Sequence, residues 1–353
     1  MPSQSPIPVT LLSLGTSVPD TVITQEEAKE LARTLFGRRS SHFEKLAPVF
    51  DNAGIEKRHI VRPLSWYEGE HGWRERNAVY LEAAERLYEE AASQALQRAG
   101  MRADEVDVLV TASTTGIATP SLEARVAGRM GFRPDAERVP LFGLGCAGGV
   151  TGLATAARLA ASAPGRTILF VTVELCSTSI RLDKLSKANI VATALFADGA
   201  AAAILRSGEA GDYVIEGGGE LLWPGTLGIM GWDVDDPGLG VIFDRAIPPF
   251  VEDNMAQAVE RVLAKLGIDR AQIGRFTCHP GGAKVVAALE QSLELQSGSL
   301  DHERAVLRDY GNMSAPTVLF VLERLLTQGM PARTMLLALG PGFTTSGLSI
   351  ARG

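Results

Sequence analysis

Apolar and polar positions along the chain follow two periods, one typical of buried strands and the other of amphipathic helices. This pattern predicts strands over residues 8–14, 106–112, 139–142, 167–173 and 200–205. It predicts helices over residues 76–99, where Gly100 supplies a C-terminal cap, and 149–162. Residues 167–173 are apolar almost throughout, as in a parallel strand that is buried on both faces. Because strands and helices alternate, we expect an α/β fold built in layers.

The chain also contains an internal repeat. Segment 95–111 can be laid on segment 262–278 so that Gly100 matches Gly267, and in a second pair Thr167 matches Thr334. Both pairs have the same offset, which predicts two similar α/β halves with a break in the turn-rich region 208–231. We therefore expect an N-terminal half, residues 1–210, and a C-terminal half, residues 211–353, that share one core.

Composition and charge narrow the functional classes. The 353 residues are 46% hydrophobic, and 34 Lys and Arg stand against 41 Asp and Glu, which gives a net charge of −7. This balance argues against a nucleic-acid partner or an acidic membrane surface, because there is no excess of cations to neutralise phosphates. No apolar run reaches the roughly 20 residues of a membrane span, and the N-terminus lacks the pattern of a signal peptide. We expect a soluble cytoplasmic enzyme.

Cys146 lies where a strand gives way to a helix, within a glycine-rich turn. The partial positive charge of a helix N-terminus favours a thiolate at such a position. In the repeat, Asn312 matches Gly145, and His279 follows the strand of the second half. Since equivalent loops of two halves can converge, these residues form a candidate set of nucleophile, cationic partner and amide donor.

The other cysteines and histidines have simpler explanations. Cys176 is expected to be a small buried apolar side chain. Cys278 adjoins His279 on a predicted strand, so the two side chains should point to opposite faces. The remaining four histidines have polar surroundings and are expected at the surface: His42, His59, His71 and His302.

A second interpretation of the glycine-rich turn remains open at this point. Gly143-x-Gly145-x-x-Gly148 fits a dinucleotide-binding fingerprint, and Glu174 ends the next strand where a ribose-binding acid would stand. The alternative function would be an NAD-dependent oxidoreductase. This alternative gives no role to Cys146, His279 or the internal repeat. The sequence therefore favours the candidate set that contains Cys146 and His279.

Four motifs in order give the sequence a family resemblance. They are residues 145–149 (GCAGG), 278–282 (CHPGG), 310–314 (YGNMS) and 340–345 (GPGFTT). The chain resembles the type III polyketide synthases, the chalcone synthase-like enzymes of the thiolase fold, from about residue 8 to 350. The resemblance implies a duplicated α/β core with α-β-α-β-α layers. Segments 116–132 and 232–243 look closest to bacterial synthases of alkylpyrones and alkylresorcinols.

The resemblance also implies roles for individual residues. Cys146 would be the nucleophile, and His279 and Asn312 would complete the catalytic triad. Further positions are expected at the substrate site, namely the gating pair Phe196 and Phe243, with Thr119, Ser179, Ser314 and Lys45. Of three basic positions near the coenzyme A tunnel of the plant enzymes, Lys45 is matched, whereas Pro48 and Asn52 occupy the other two.

The implied reaction begins with an acyl-CoA starter on Cys146. Malonyl-CoA extends it by decarboxylative condensation, and cyclisation gives a pyrone or a resorcinol. CoA thioesters are the substrates, no metal or redox cofactor is expected, and the resemblance implies a homodimer. One alternative is a ketoacyl-ACP synthase III-like enzyme that uses an acyl carrier protein, although in that family the histidine usually precedes Gln-Ala-Asn rather than Pro-Gly-Gly. A non-catalytic acyl-binding protein is the other alternative, disfavoured because all three triad residues are present.

Overall fold

Helices and strands alternate along most of the chain. The structure, a computed structural model, describes residues 7–37, 43–181, 186–208 and 211–353. Within these residues the strands are β1 (Val9–Ser17), β2 (Thr21–Thr24), β3 (Lys57–Ile60), β4 (Val108–Ala112), β5 (Glu137–Leu141), β6 (Thr167–Leu175), β7 (Asp198–Ser207), β8 (Tyr213–Leu222), β9 (Met230–Asp235), β10 (Gly238–Phe243), β11 (Arg275–Cys278), β12 (Arg333–Gly340) and β13 (Thr344–Arg352). The α-helices are α1 (Gln25–Gly37), α2 (Phe43–Leu46), α3 (Pro48–Asp51), α4 (Trp73–Ala99), α5 (Leu122–Met130), α6 (Gly148–Ala160), α7 (Lys187–Leu195), α8 (Ile247–Leu266), α9 (Ala283–Ser292), α10 (Asp301–Tyr310) and α11 (Pro316–Gln328).

Nine of these strands form one sheet that consists of two half-sheets. The order is β11-β12-β13-β8-β1-β7-β6-β4-β5. In each half, a parallel pair (β4 with β6, β11 with β12) is followed by two antiparallel neighbours (β7 and β1, β13 and β8). The half-sheets meet where β1 and β8 share two residue pairs. β6 is buried along its whole length, as expected, but one of its two neighbours is antiparallel, so the sheet is mixed.

The helices complete five layers around the two half-sheets. One outer cluster packs α4 against β4, β6 and β7. Helices α6 and α11 lie between the half-sheets, in a cluster that contains apolar residues of both halves of the chain. The other outer cluster packs α8 and α9 against β11 and β12. The expected α-β-α-β-α architecture is confirmed.

The repeat is visible in the backbone itself. Gly100 ends α4 with a φ of 65°, and Gly267 ends α8 with a φ of 67°. In both turns the next amide donates back into the helix, from Met101 N to Leu96 O and from Ile268 N to Leu263 O. Left-handed φ values are the reason why glycine ends both helices. The division at residue 210 stays a prediction, and residues 209–210 lie outside the described part.

A short two-stranded ribbon, β9 with β10, stands apart from the large sheet and covers the end of it that carries Cys146. None of the helices in the described residues is both long and apolar enough to cross a membrane.

Candidate active site

The turn that carries Cys146 leads directly into α6. A single 3-10 turn, Gly145–Ala147, precedes the helix, and Gly145 has a left-handed φ of 47°. A Cβ atom added at Gly149 would lie 2.3 Å from the carbonyl oxygen of Ala315, so only glycine allows this approach. The starts of α6 and α11 therefore come together, and Cys146 meets the turn before α11.

The turn before α11, which contains Asn312 and Ser314, forms hydrogen bonds with the segment of Cys146 and with the segment of Gly281. The hydroxyl of Ser314 donates to Sγ of Cys146 at 3.4 Å, and the Ser314 amide donates to Oδ1 of Asn312 at 2.8 Å. The Asn312 side-chain amide donates to the carbonyl oxygen of Gly281 at 3.1 Å. Gly281 in turn lies two residues after His279 and donates its amide to the His279 carbonyl. One chain of contacts thus links the segments of all three predicted catalytic residues.

His279 continues the line of β11, with its amide donating to the Leu337 carbonyl at 2.8 Å. The side chain is buried, and neither ring nitrogen has a hydrogen-bond partner among the described residues. Burial lowers the pKa of His279 to about 4. Since buried polar groups are normally hydrogen-bonded, an unpartnered imidazole at this position is a candidate for contact with a substrate.

The surroundings of Cys146 and His279 do not favour the expected pair of a Cys146 thiolate and a His279 imidazolium. Burial raises the pKa of the Cys146 thiol to about 11; the Ser314 hydrogen bond lowers it, and the carboxyl of Glu174 adds to the increase. Desolvation disfavours the charged forms of both groups. Burial therefore opposes both the thiolate of Cys146 and the imidazolium of His279.

An inner cavity of about 40 Å³ adjoins Cys146. Both expected gating residues line it, and their rings meet edge to face with centroids 6.4 Å apart: Phe196 and Phe243. Trp232 of the ribbon also lines the cavity and lies 6.2 Å from the ring of Phe196. A volume of this size holds about one water molecule, so these aromatic side chains must move before an acyl chain can enter.

Backbone hydrogen bonds join Asn312 to the segment that carries Phe196, one of the two expected gating residues. The Asn312 amide donates to the Leu195 carbonyl, and the Ala197 amide donates to the Asn312 carbonyl, both at 2.9 Å. These two bonds flank Phe196, which therefore sits at a fixed position relative to the Asn312 side chain.

An outer cavity of about 520 Å³ opens at the surface and is separated from the inner one by Phe243, which lines both. Lys45 lines the outer cavity, and so do Pro48 and Asn52. Gly281, in the loop after His279, forms part of its wall.

Two expected substrate-site residues lie elsewhere. Thr119 is exposed and lines neither cavity of this single chain. Ser179 is buried beside a separate small void that also touches Thr115. Because Thr115 lines the inner cavity as well, Ser179 stands one residue behind the cavity wall.

The sequence did not indicate several residues of the inner cavity, among them Thr114, Thr115 and Trp232. The two threonines follow the carboxyl end of β4, and that position at a strand end is the signal that could have found them. Their hydroxyls accept hydrogen bonds from the amides of Gly145 at 3.2 Å and of Leu175 at 2.8 Å. No local pattern marks Trp232.

The dinucleotide interpretation fails at Glu174. Its carboxyl group is buried rather than free to bind a ribose, and it accepts a hydrogen bond from the Thr114 amide at 3.0 Å. Burial raises the pKa of Glu174 to about 7. In the described residues, no group of histidine, cysteine and acidic side chains is placed to hold a metal ion.

The four other histidines were expected at the surface, and this is wrong for His302. That residue is buried, and its Nδ1 accepts a hydrogen bond from Arg324 at 3.2 Å. His59 and His71 are half-buried, while His42 lies outside the described residues. Helical periodicity of α10, rather than the polarity of its neighbours, turns His302 inward. Cys176 is buried as expected.

The chain matches two sequence models of known domains. The model described as chalcone and stilbene synthases, N-terminal domain, matches residues 3–209, and the model of the corresponding C-terminal domain matches residues 218–352.

Individual relatives agree with this assignment. A 1,3,6,8-tetrahydroxynaphthalene synthase of Streptomyces peucetius subsp. caesius is 39% identical over 339 residues, covering 94% of this chain and 90% of the relative. A putative chalcone synthase of Bacillus subtilis (strain 168) is 35% identical over 351 residues, covering 95% and 96%. The crystal structure of 1,3,6,8-tetrahydroxynaphthalene synthase from Streptomyces coelicolor A3(2) superposes with a TM-score of 0.91 at 30% identity, covering 97% of this chain and 99% of that one.

Proposed function

The chain belongs to the chalcone and stilbene synthase family and is a type III polyketide synthase, and we propose that it builds its product on Cys146 with the help of His279 and Asn312. The observation that carries this assignment of roles is the chain of hydrogen bonds from Cys146 through Ser314 to Asn312, beside the inner cavity. The unpartnered ring of His279 supports it, because that ring is free to exchange a proton or a hydrogen bond with a substrate.

Loading of the starter is a transthioesterification. Sγ of Cys146 attacks the carbonyl carbon of an acyl-CoA, a new carbon–sulfur bond forms, and the CoA thiolate leaves. Because burial opposes the charged forms of Cys146 and His279, the thiol proton moves during the attack. A ring nitrogen of His279 accepts it and passes it to the departing CoA sulfur.

Extension requires a carbanion equivalent. Malonyl-CoA loses its carboxylate as CO₂, and the electron pair of the broken carbon–carbon bond forms an enolate. Asn312 donates one amide hydrogen to Gly281, so its second hydrogen is available for the enolate oxygen, and His279 N–H is the other donor. Removal of one such donor typically costs about 2.7–4 kcal/mol of transition-state stabilisation. The enolate carbon then attacks the thioester carbonyl on Cys146. The carbon–sulfur bond to Cys146 breaks, the Cys146 sulfur leaves as a thiolate, and the chain, longer by two carbons, is now a thioester of CoA. Transfer of this chain back to Cys146, with release of CoA, begins the next extension.

This chemistry proceeds without a metal or a redox cofactor, since decarboxylation itself supplies the electron pair. Acyl-CoA and malonyl-CoA are the small-molecule partners of the family, and CoA thioesters agree with the expected cytoplasmic location.

A homodimer is also proposed. Two exposed apolar side chains support it: Ile117 is 50% exposed and Phe142, directly after the edge strand β5, is 65% exposed. Burial of these side chains at an interface would cover an apolar surface that a single chain leaves in water. Light scattering of the purified protein tests the dimer, and a monomer at micromolar concentration contradicts it.

The proposed product is an alkylpyrone or an alkylresorcinol made from a fatty acyl starter. A second candidate is favoured by relatives named for 1,3,6,8-tetrahydroxynaphthalene, a product without an alkyl chain. Malonyl-CoA as sole substrate could supply all its carbons. Incubation with malonyl-CoA, with and without a series of acyl-CoA starters, distinguishes the two by the masses of the products.

Substitution of the nucleophile tests the function itself. We expect Cys146→Ala to form no extended product while weak release of CO₂ from malonyl-CoA persists, because both enolate donors remain. Cys176→Ala is the matched control, since this second thiol lines the same cavity and should be dispensable. Undiminished extension by Cys146→Ala would contradict the proposal. A wild-type protein that uses a malonyl carrier protein but ignores malonyl-CoA would support the carrier-dependent alternative, and one that binds acyl-CoA without releasing CO₂ would be an acyl-binding protein.

A further inference from the structure

The strand that leads to His279 lies at the edge of the large sheet. β11 is the last strand in the sheet order, and within the described residues its one strand partner is β12. The amide of His279 points toward β12 and donates to the Leu337 carbonyl. Successive amides of a strand point to opposite sides, so the amide of Cys278, the residue before His279, points away from the sheet. A buried amide in this position needs an acceptor from another element.

That acceptor is a carboxyl group of α10. Oε1 of Glu303 accepts the amide hydrogen of Cys278 at 2.8 Å, and Arg275 donates to Oε2 of Glu303 at 3.0 Å. Arg275 begins β11 and Cys278 ends it, so the two oxygens contact both ends of the strand. The Glu303 side chain has no exposed surface. Since a buried carboxyl requires such partners, these contacts fix the position of α10 against β11.

The same helix leads to the second proposed enolate donor. α10 ends at Tyr310, and Asn312 follows two residues later. Beyond the helix, the side-chain amide of Asn312 donates to the carbonyl oxygen of Gly281 at 3.1 Å. The segment of Asn312 therefore holds the segment of His279 at two points, through Cys278 before the histidine and through Gly281 after it.

We propose that Glu303 is a positioning residue for the condensation, which holds β11 against α10 so that His279 and Asn312 donate to the same enolate oxygen. This rests on the proposed function, because that function assigns both donors to the enolate. Glu303 lines neither of the two cavities, so its effect passes through the two donors. Donors stabilise a transition state only when they are correctly placed, and a shift of about 1 Å can cost about a hundredfold in rate.

Two substitutions separate the acceptor from the volume of the side chain. Glu303→Leu fills a similar space without an acceptor, whereas Glu303→Gln keeps an oxygen for the Cys278 amide. In both variants Arg275 retains Asp301 as a partner, at 2.9 Å. We expect the kcat for CO₂ release from malonyl-CoA to fall about tenfold to a hundredfold in Glu303→Leu, and to stay within about threefold in Glu303→Gln. The KM should stay within twofold in both variants, because Glu303 does not contact the thioester.

The matched control is Glu290→Leu. Glu290 is buried as well, and its carboxylate accepts hydrogen bonds from the Leu300 amide at 2.9 Å and from Arg304 of α10 at 2.6 Å. These contacts stabilise α10 without joining it to β11. We expect Glu290→Leu to lower the midpoint of thermal unfolding about as far as Glu303→Leu does, with kcat within twofold of the wild type. If Glu303→Leu does not fold, Glu303→Asp replaces it, since this variant only draws the carboxyl back by one methylene and should lower kcat at least twofold.

Hydrogen exchange, followed by mass spectrometry, supplies a readout without turnover. The peptide that contains Cys278 and His279 should exchange at least tenfold faster in Glu303→Leu than in the wild type, and at an unchanged rate in Glu290→Leu. If the wild type releases no CO₂ from malonyl-CoA, the proposed function fails by itself, and faster exchange in Glu303→Leu still supports the hold of Glu303 on this segment.

Four results would overturn the proposal. They are a kcat within twofold of the wild type for Glu303→Leu, or for Glu303→Asp in its place; an equal loss of kcat in Glu290→Leu; a change confined to KM; and unchanged exchange of the His279 peptide in Glu303→Leu.

Discussion

Ser314 donates a hydrogen bond to the sulfur of Cys146 across 168 positions of the chain. This separation is close to the offset of the internal repeat, so the two residues stand on equivalent turns of the two halves. Helices α6 and α11 follow these turns and lie side by side between the half-sheets. The contact between nucleophile and hydroxyl is thus a direct product of the duplication.

Removal of this hydroxyl should weaken the nucleophile moderately. In Ser314→Ala the backbone contact to Asn312 stays, while the donor that lowers the pKa of Cys146 is lost. A single hydrogen bond contributes about 0.5–1.5 kcal/mol, so we expect kcat/KM for condensation to fall about twofold to tenfold. The midpoint of thermal unfolding should change little. A loss of more than a hundredfold, or none, would show that Ser314 has another role.

The protonation of Cys146 can be measured by alkylation. Because burial raises its pKa, the thiol holds its proton to a higher pH than a free cysteine. We therefore expect the rate of iodoacetamide labelling at Cys146 in the free protein to rise with pH above the value of about 8.5 typical of a free thiol. Peptide mass spectrometry identifies the labelled residue, and Cys146→Ala controls for other sites. An inflection well below 8.5 would instead show a thiolate stabilised by His279 and the helix N-terminus.

The size of the inner cavity should depend on Trp232. Its indole occupies the wall beside Phe196, where a growing chain needs space. We expect Trp232→Ala to shift products toward longer starters or additional extensions, as measured by the product masses from a series of acyl-CoA substrates. Val234→Ala, two positions further along β9 at a side chain that is 70% exposed, is the control and should leave the distribution unchanged. An unaltered distribution for Trp232→Ala would exclude this residue as a determinant of length.

Stability should depend on Asp198, a buried carboxyl that accepts the amide hydrogens of Ser177 at 2.7 Å and Val61 at 2.8 Å. Asp198→Ala leaves both donors without a partner, at about 1–3 kcal/mol each, and should lower the unfolding midpoint by several degrees. Asp198→Asn keeps an acceptor and should lose less. If both substitutions have the same small effect, these hydrogen bonds contribute little.

The same residue gives a pH dependence. Burial raises the pKa of Asp198 to about 7, so the folded protein holds a proton that the unfolded chain releases near pH 4. The stabilisation from this group is complete below the unfolded pKa and is lost as pH rises through the folded value. The stability advantage of wild type over Asp198→Asn should therefore shrink between pH 4 and pH 7, in chemical denaturation at each pH.

Several local features of the structure can be predicted from short stretches of the sequence. Glycines at positions 100 and 267 require left-handed backbone, so the two helix ends and the repeat could be predicted from residue type and spacing. The position of Cys146 before α6 can be predicted in the same way, because the glycine-rich turn and the alanine-rich run after it mark a helix start within a few residues. The order of four short motifs then indicated the family.

Tertiary structure decided what depends on residues far apart in the chain. The helix N-terminus predicted a thiolate at Cys146, but desolvation by side chains from several elements reverses the direction of its pKa shift. Likewise Trp232 lines the inner cavity because the β9–β10 ribbon lies over it, and Lys187, Arg245 and Lys284 line one opening because the starts of α7 and α9 and the segment before α8 converge there. Local periodicity specifies turns and helices, whereas burial and electric field are sums over neighbours that only the folded chain brings together.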